Sequence, residues 1–80
     1  MFSIGQKVRI KENSGYDTYL YSGMIGVIAL IESNNSAAII KLLNKKDRDF
    51  VLSKRWRVEP YIEFHFLEKT NIGGGLIKNE

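Results

Sequence analysis

Alternation of polar and apolar residues opens the chain and predicts a first β-strand over residues 6–12. Val8 and Ile10 would point into a core from this strand. The opposite face would carry three cations, which we call the basic row: Lys7, Arg9 and Lys11. Three like charges in line suit an anionic partner, although an ordinary solvated strand face gives the same pattern.

The longest apolar run, at residues 24–31, predicts the central strand. Because this run does not alternate, we expect both faces to be covered, as in a bent strand that serves two sheets. Gly23 and Gly26 would allow a positive φ at a turn or a close approach of two backbones. A polar turn then leads into a strand over residues 37–43, whose inward side chains would be Ala38, Ile40 and Leu42.

Residues 44–49 carry mixed charges and predict a solvated loop, followed by a short strand over residues 50–52. The next residues, 53–56, look like one helical turn capped by Ser53. Three cations surround the only tryptophan, Trp56, and they are Lys54, Arg55 and Arg57. Such cations neutralise phosphates, and an indole stacks on a base or holds an arginine. Alternatively, the tryptophan plugs the end of a barrel while its neighbours extend into water.

A long alternating strand is predicted over residues 57–67, with a helix from residue 61 as the alternative. Its apolar face would carry Ile62, Phe64 and Phe66. Because this strand is longer than a small barrel needs, we expect these side chains to contact a second copy, a partner or the far side of the barrel. Residues 68–80 would form a flexible tail that contains the glycines at 73–75.

Three tyrosines lie in the loop between the first two strands, and they are Tyr16, Tyr19 and Tyr21. Aromatic rings in a loop stack on bases or grip a peptide. Alternatively, at least two of them fold over the end of the barrel with their hydroxyls in water, because a small core needs such lids.

Composition narrows the classes of function. The chain has 80 residues, which is the size of one domain, and it has no cysteine and a single histidine, His65. We therefore expect no disulfide, no metal site and no cofactor. No nucleophile is patterned with a general base, so we do not expect an enzyme. The net charge of +3 is a mild bias toward anionic partners.

The opening residues alternate, so we expect no secretory signal peptide. The longest apolar run has eight residues, against the roughly 20 that span a bilayer, so we expect no membrane insertion. The missing cysteines suit a reducing compartment. The abundance of isoleucine, lysine and asparagine is typical of AT-rich genomes. We expect a cytoplasmic protein, or one of an organelle stroma or a phage-infected host.

The predicted elements follow the order of an SH3-like small barrel. Three stretches carry a closer likeness: GQKVRI at residues 5–10, Gly23-x-x-Gly26-x-Ile28 and Ala38-x-Ile40-x-Leu42. Over about residues 4–60 they resemble the KOW motif of ribosomal proteins and transcription elongation factors. This resemblance implies an all-β, five-stranded barrel over residues 1–67, with one short helical turn before the last strand.

Two other families share parts of the pattern. The opening strand and the tyrosine-rich loop are similar to subunit IV of photosystem I. The glycine turn, with Phe50 and the closing Val58-Glu59, resembles the variable chain of ferredoxin–thioredoxin reductase. Peptide-binding SH3 domains are less similar, because their paired tryptophans and closing Pro-x-x-Tyr are absent.

These observations lead to three hypotheses. The KOW resemblance implies a non-catalytic module that binds nucleic acid or a nucleoprotein complex through the basic row, the cations around Trp56 and the aromatic residues. The second hypothesis is an accessory subunit of a larger complex, docked on an acidic protein such as a ferredoxin. The third is a small phage-type regulator of a host enzyme. If the opening and closing strands are neighbours, the basic row shares a surface with Arg57.

Overall fold

The computed structural model describes residues 2–34 and 36–71, and the predicted glycine-rich part of the tail lies outside them. The strands are β1 (Lys7–Ile10), β2 (Ile25–Ile31), β3 (Ala37–Leu42), β4 (Tyr61–Glu63) and β5 (Leu67–Lys69). Helix α1 spans Lys45–Ser53, between β3 and β4. Two 3-10 helices span Thr18–Tyr21 and Phe64–Phe66.

All five strands form one antiparallel sheet in the order β4-β3-β2-β1-β5. β4 and β5 lie at opposite edges although they are consecutive in the chain, and the 3-10 helix Phe64–Phe66 joins them. In the described part of the chain no pairing joins β4 to β5, so the sheet is not closed. The predicted all-β fold is therefore confirmed as a five-stranded antiparallel sheet with one helix, and not as a barrel.

The inward faces of β1 and β3 are those that the alternation predicted. Val8 and Ile10 of β1 are fully buried. The three predicted inward residues of β3 are also buried, and they are Ala38, Ile40 and Leu42. The register sets Ile28 of β2 opposite Ile40, so apolar side chains of neighbouring strands meet in one core. Burial of side chains of this size contributes about 1.5–3 kcal/mol each.

The two glycines before and within β2 serve the two purposes that were expected. Gly23 has a φ of +85°, which side-chain-bearing residues rarely adopt. Gly26 lies where β2 and β3 approach most closely: a Cβ there would be 2.5 Å from the carbonyl oxygen of Lys41 and 2.6 Å from Cγ2 of Ile40. Only glycine lets the two strands pair at this distance.

The prediction that both faces of β2 are covered is wrong for the second half of the strand. Its register with β3 shifts between Ile28 and Leu30. Ala29, at this irregularity, and Leu30, directly after it, are exposed, and Leu30 is exposed by 59%. A bulge bends a strand and re-aims its side chains, so Ala29 and Leu30 turn away from the core although Ile31 packs against it.

Residues 45–53 form helix α1, where the sequence pattern predicted a loop and a short strand. Val51 is fully buried and packs in the core cluster of the sheet. The guanidinium of Arg48 donates hydrogen bonds to the carbonyls of Leu42 and Leu43, at 3.1 and 2.8 Å. These contacts attach α1 to the end of β3 and favour the helix over the predicted strand.

The predicted helical turn at residues 53–56 and the predicted strand over residues 57–67 are both wrong. Ser53 is the last residue of α1, and its hydroxyl donates to the carbonyl of Phe50 at 2.7 Å. The predicted strand is split into β4, a 3-10 helix and β5, because one straight strand cannot pair at both edges of the sheet. A helical turn does precede the last strand, but at Phe64–Phe66. β5 reaches Lys69, past the predicted start of the tail.

The predicted apolar stripe packs against the core of its own chain. Ile62 is 1% exposed, and Phe64 and Phe66 are half-buried against the same cluster. The ring centroids of Phe2 and Phe64 are 5.0 Å apart. Of the alternatives, the described residues show the contact within the chain, and the exposed stripe expected to cover a partner or a second copy does not form.

Candidate binding groove

A groove with a volume of about 820 Å³ is lined mainly by three separate segments of the chain, together with Ile39 of β3 and Phe66. The first is the loop between β1 and β2, the second follows α1, and the third runs from Pro60 into β4. Five of the predicted binding residues line it together: Tyr16, Tyr21, Arg55, Trp56 and Arg57. The fold thus brings the tyrosine-rich loop to the cations around the tryptophan, which are far apart in the sequence.

Tyr21 holds the two main walls of this groove together. Its side chain is 5% exposed, and its hydroxyl donates to the carbonyl of Arg57 at 2.6 Å. Its ring meets that of Trp56 edge to face, with centroids 6.1 Å apart. Burial raises the pKa of the Tyr21 hydroxyl above its ordinary value, because the phenolate would lose its hydration.

The other end of the loop is held by Gly15. A Cβ at Gly15 would lie 2.8 Å from Cζ of Phe66, so the loop backbone rests on this ring. The backbone N–H of Gly15 also donates to the side-chain oxygen of Asn13 at 3.0 Å. The loop is therefore attached at both ends, to Phe66 and to Arg57 through Tyr21.

Trp56 is half-buried, and it both packs on the core and lines the groove. It packs against the core cluster, and its backbone N–H donates to the carbonyl of Val51 at 2.8 Å. Its ring meets that of Phe50 edge to face, with centroids 5.5 Å apart. The indole also lines the groove, so part of its surface is available to a planar ligand.

Only one of the three tyrosines folds over the core. Tyr21 is buried, whereas Tyr16 is 91% exposed and Tyr19 is 55% exposed. The expectation that at least two would act as lids is therefore wrong. Tyr16 lines the groove, but Tyr19 does not, although both belong to the same loop.

The groove carries charges of both signs. Arg55 and Arg57 are exposed cations, and the acidic residues Asp17 and Glu63 line the same groove. Lys54 is exposed and does not line it, but its ammonium lies 5.7 Å from the centroid of the Phe50 ring that packs on Trp56. A ligand that fits this arrangement presents planar rings to the aromatic walls and negative charge to the arginines.

The basic row is not part of the groove. Lys7 and Arg9 are half-buried and Lys11 is exposed. The residue opposite Arg9 on β5 is Glu68, and Nη1 of Arg9 lies 2.7 Å from its carboxylate. The neighbour of β1 at this sheet edge is β5, so Arg9 of the basic row meets Glu68 there, while Arg57 lies at the groove.

Sequence reasoning missed Tyr61 as a residue of the groove. It lines the groove as a half-exposed side chain, next to the buried Pro60. The Tyr61 hydroxyl donates to Oε2 of Glu32 at 2.6 Å, and this hydrogen bond raises the pKa of Tyr61. Its only signal in the sequence was a place on the polar face of the predicted last strand, which does not indicate a binding role.

Within residues 2–34 and 36–71, no cluster of three or more histidine, cysteine, aspartate or glutamate side chains could hold a metal ion. No helix among these residues has the length and apolar character needed to cross a membrane. His65 lies on the surface, with Nε2 3.4 Å from a carboxylate oxygen of Glu63. Comparison with known proteins finds no matching family model, no similar curated protein and no similar solved structure.

Proposed function

We propose that this chain is a non-catalytic binding module and that its groove binds nucleic acid. The observation that carries the proposal is the convergence of Arg55 and Arg57 with the aromatic side chains of Tyr16 and Trp56 in one groove. Guanidinium groups bind phosphates through paired, charge-assisted hydrogen bonds, and aromatic rings stack on bases. Phosphate contacts position a nucleic acid on a protein, and stacking adds affinity for exposed bases.

The fold that we propose for this module is the SH3-like small barrel of the KOW resemblance. Two features support it: the long loop between β1 and β2, and the 3-10 helix directly before β5. Helix α1 would then be an insertion between two strands of that plan. The groove lies beside the long loop, and the insertion supplies its second wall through the segment that follows α1.

The charges predict a modest and salt-sensitive affinity. Asp17 and Glu63 partly offset the two arginines in the groove, and the whole chain carries only +3. Each phosphate contact adds about 0.7 to the dependence of log affinity on log salt for a single strand, and about 0.9 for B-form DNA. Two contacts at the arginines therefore lower the affinity several-fold between about 50 and 200 mM salt.

The test measures binding of fluorescently labelled oligonucleotides by anisotropy at several salt concentrations. A double variant, Arg55→Gln with Arg57→Gln, removes two charges from the groove. Its matched control, Lys7→Gln with Lys11→Gln, removes the same net charge from the basic row. For a single strand, we expect the groove variant to lose most of the binding, and the slope of log affinity against log salt to become shallower by about 1.4. The control variant should lose clearly less affinity and less of this slope.

Two outcomes contradict the proposal. No binding of DNA or RNA at low salt would exclude it and would favour an acidic protein partner instead. Equal losses in the two double variants would show that the groove is not the binding site.

A further inference from the structure

We infer that the groove selects unpaired nucleic acid over a double helix. This inference rests on the proposed function and names the form of ligand that the same site takes. The relevant observation is that the groove offers aromatic surface and arginine side chains together, within a volume of about 820 Å³. Such a volume lies in the range of sites that enclose small molecules, about 300–1,000 Å³.

The aromatic walls are useful only to a base whose face is free. Tyr16 is 91% exposed at the groove, and Trp56 contributes part of its indole there. In a duplex both faces of a base are covered by its neighbours, so neither ring can stack on it. In a single strand the base can turn outward and stack on an aromatic side chain.

The described residues include little that could bind in a groove of a duplex. Proteins that read double-stranded DNA usually place a helix or a two-stranded ribbon in the major groove. Helix α1 is the α-helix of the described residues, and it carries Asp47 and Asp49 among its cations. Lys45 of the same helix is already paired with Asp49 at 2.7 Å. The two carboxylates offset two of the three cations of this helix, which leaves α1 with little net positive charge for the phosphates on either side of a major groove.

The carboxylates of the binding groove also set the orientation of a single strand. Asp17 and Glu63 would repel phosphates, so the backbone follows the side of Arg55 and Arg57. The bases then lie between the two walls, where Trp56 and Tyr16 stack on them and the carboxylate of Asp17 accepts a hydrogen bond from an exocyclic amino group. The hydrogen bond from Tyr21 to the carbonyl of Arg57 keeps these two sides at a fixed distance.

The experiment compares three ligands of one sequence: single-stranded DNA, single-stranded RNA and duplex DNA. Trp56 is the only tryptophan, so quenching of its fluorescence reports stacking directly. We expect both single strands to quench the fluorescence of Trp56. They should bind at least about ten-fold more tightly than the duplex, because each base that stacks on an aromatic ring raises the affinity at least several-fold. A preference between RNA and DNA would show whether the 2′-hydroxyl is also read.

A pair of tyrosine variants separates stacking from charge. Tyr16→Ala lowers the single-strand affinity about ten-fold and leaves duplex binding unchanged. Tyr19→Ala is the matched control, because this tyrosine is exposed in the same loop but does not line the groove. Both side chains are exposed, so neither change threatens folding.

The outcomes distinguish the inference from the proposed function. Equal affinity for single strand and duplex, with no effect of Tyr16→Ala, would overturn the inference and leave nucleic-acid binding standing. Absence of binding to all three ligands at low salt would overturn both.

Discussion

At the scale of single residues, the shape of the groove depends on Tyr21 more than on the exposed side chains that line it. Its hydroxyl is the hydrogen-bond donor that joins the loop to the carbonyl of Arg57, and its ring packs on Trp56. Alternation and spacing in the sequence grouped Tyr21 with two other loop tyrosines. Only the three-dimensional contacts show that Tyr21 is buried and structural while Tyr16 is exposed.

Replacing Tyr21 with phenylalanine keeps the packed ring and removes the hydroxyl. We expect a loss of about 1 kcal/mol in the free energy of unfolding near neutral pH, because the carbonyl of Arg57 loses its donor. Chemical denaturation measures this loss. Tyr19→Phe is the control, because that side chain is 55% exposed, and it should change stability by less than about 0.5 kcal/mol.

Tyr21→Phe should also change how the stability of the protein depends on pH. Burial raises the pKa of Tyr21 in the folded state, so the unfolded chain releases this proton first, near pH 10. The stability that this difference contributes is fully present below about pH 10 and is lost as the pH rises through the folded pKa. The melting temperature of the unmodified protein should fall in that range, and Tyr21→Phe should make the fall shallower. An identical fall in both proteins would contradict the assignment to Tyr21.

At the scale of elements, α1 is the clearest difference between local pattern and structure. The sequence from residue 50 to residue 52 has three consecutive apolar residues, which is typical of a short buried strand. In the structure only Val51 of these three is buried, while Phe50 and Leu52 are 45% and 58% exposed. A helix turns neighbouring residues to different faces, so contact with the core selects one residue of the three.

This burial difference predicts the effects of two neighbouring truncations. Val51→Ala removes side-chain volume that is fully enclosed by the core, so we expect it to destabilise the protein by about 2 kcal/mol. Leu52→Ala shortens an exposed side chain and should have an effect below about 0.5 kcal/mol. Urea denaturation followed by far-UV circular dichroism measures both. If residues 50–52 were a buried strand, the two variants would be similarly destabilised.

At the scale of the whole molecule, the sheet is assembled from segments at opposite ends of the chain. β5 pairs with β1, and Leu67 of β5 is 3% exposed in the shared core. The chain reaches that edge only after passing through the 3-10 helix at Phe64–Phe66, where the backbone N–H of Lys11 donates to the carbonyl of Phe66 at 2.7 Å. Stability of the sheet therefore depends on residues that the sequence pattern assigned partly to a tail.

A chain that ends at residue 66 should not fold cooperatively. It loses the burial of Leu67, worth about 1.5–3 kcal/mol, and the hydrogen bonds between β1 and β5, at about 1 kcal/mol each. Small domains have a total stability of about 5–15 kcal/mol, so this loss is a large share of it. The control chain ends at residue 71 and keeps every described contact. Thermal melting compares the two, and a sharp, unshifted transition in the shorter chain would show that β5 is dispensable.

The sequence identified several residues of the groove, but it did not show which of the candidate residues lie together there. Tyr16, Tyr21 and the segment from Arg55 to Arg57 were all candidates, and all line the groove. The basic row was an equally strong candidate in the sequence, yet it lies outside the groove and Arg9 pairs with Glu68. Local spacing of charges contains no information about which distant segment a strand will meet.

The sequence by itself determined the strands of the first half of the chain and the inward faces of β1 and β3, because a period of two specifies which side chains share a face of a sheet. It also determined the need for Gly26, which sits where two backbones nearly touch. Tertiary structure alone decided the second half. Whether Val51 lies in a strand or a helix, and whether Phe66 belongs to a stripe or to a crossing between sheet edges, depends on contacts with residues far away in the chain. Those contacts also create the groove, because its walls come from segments that only the folded sheet brings together.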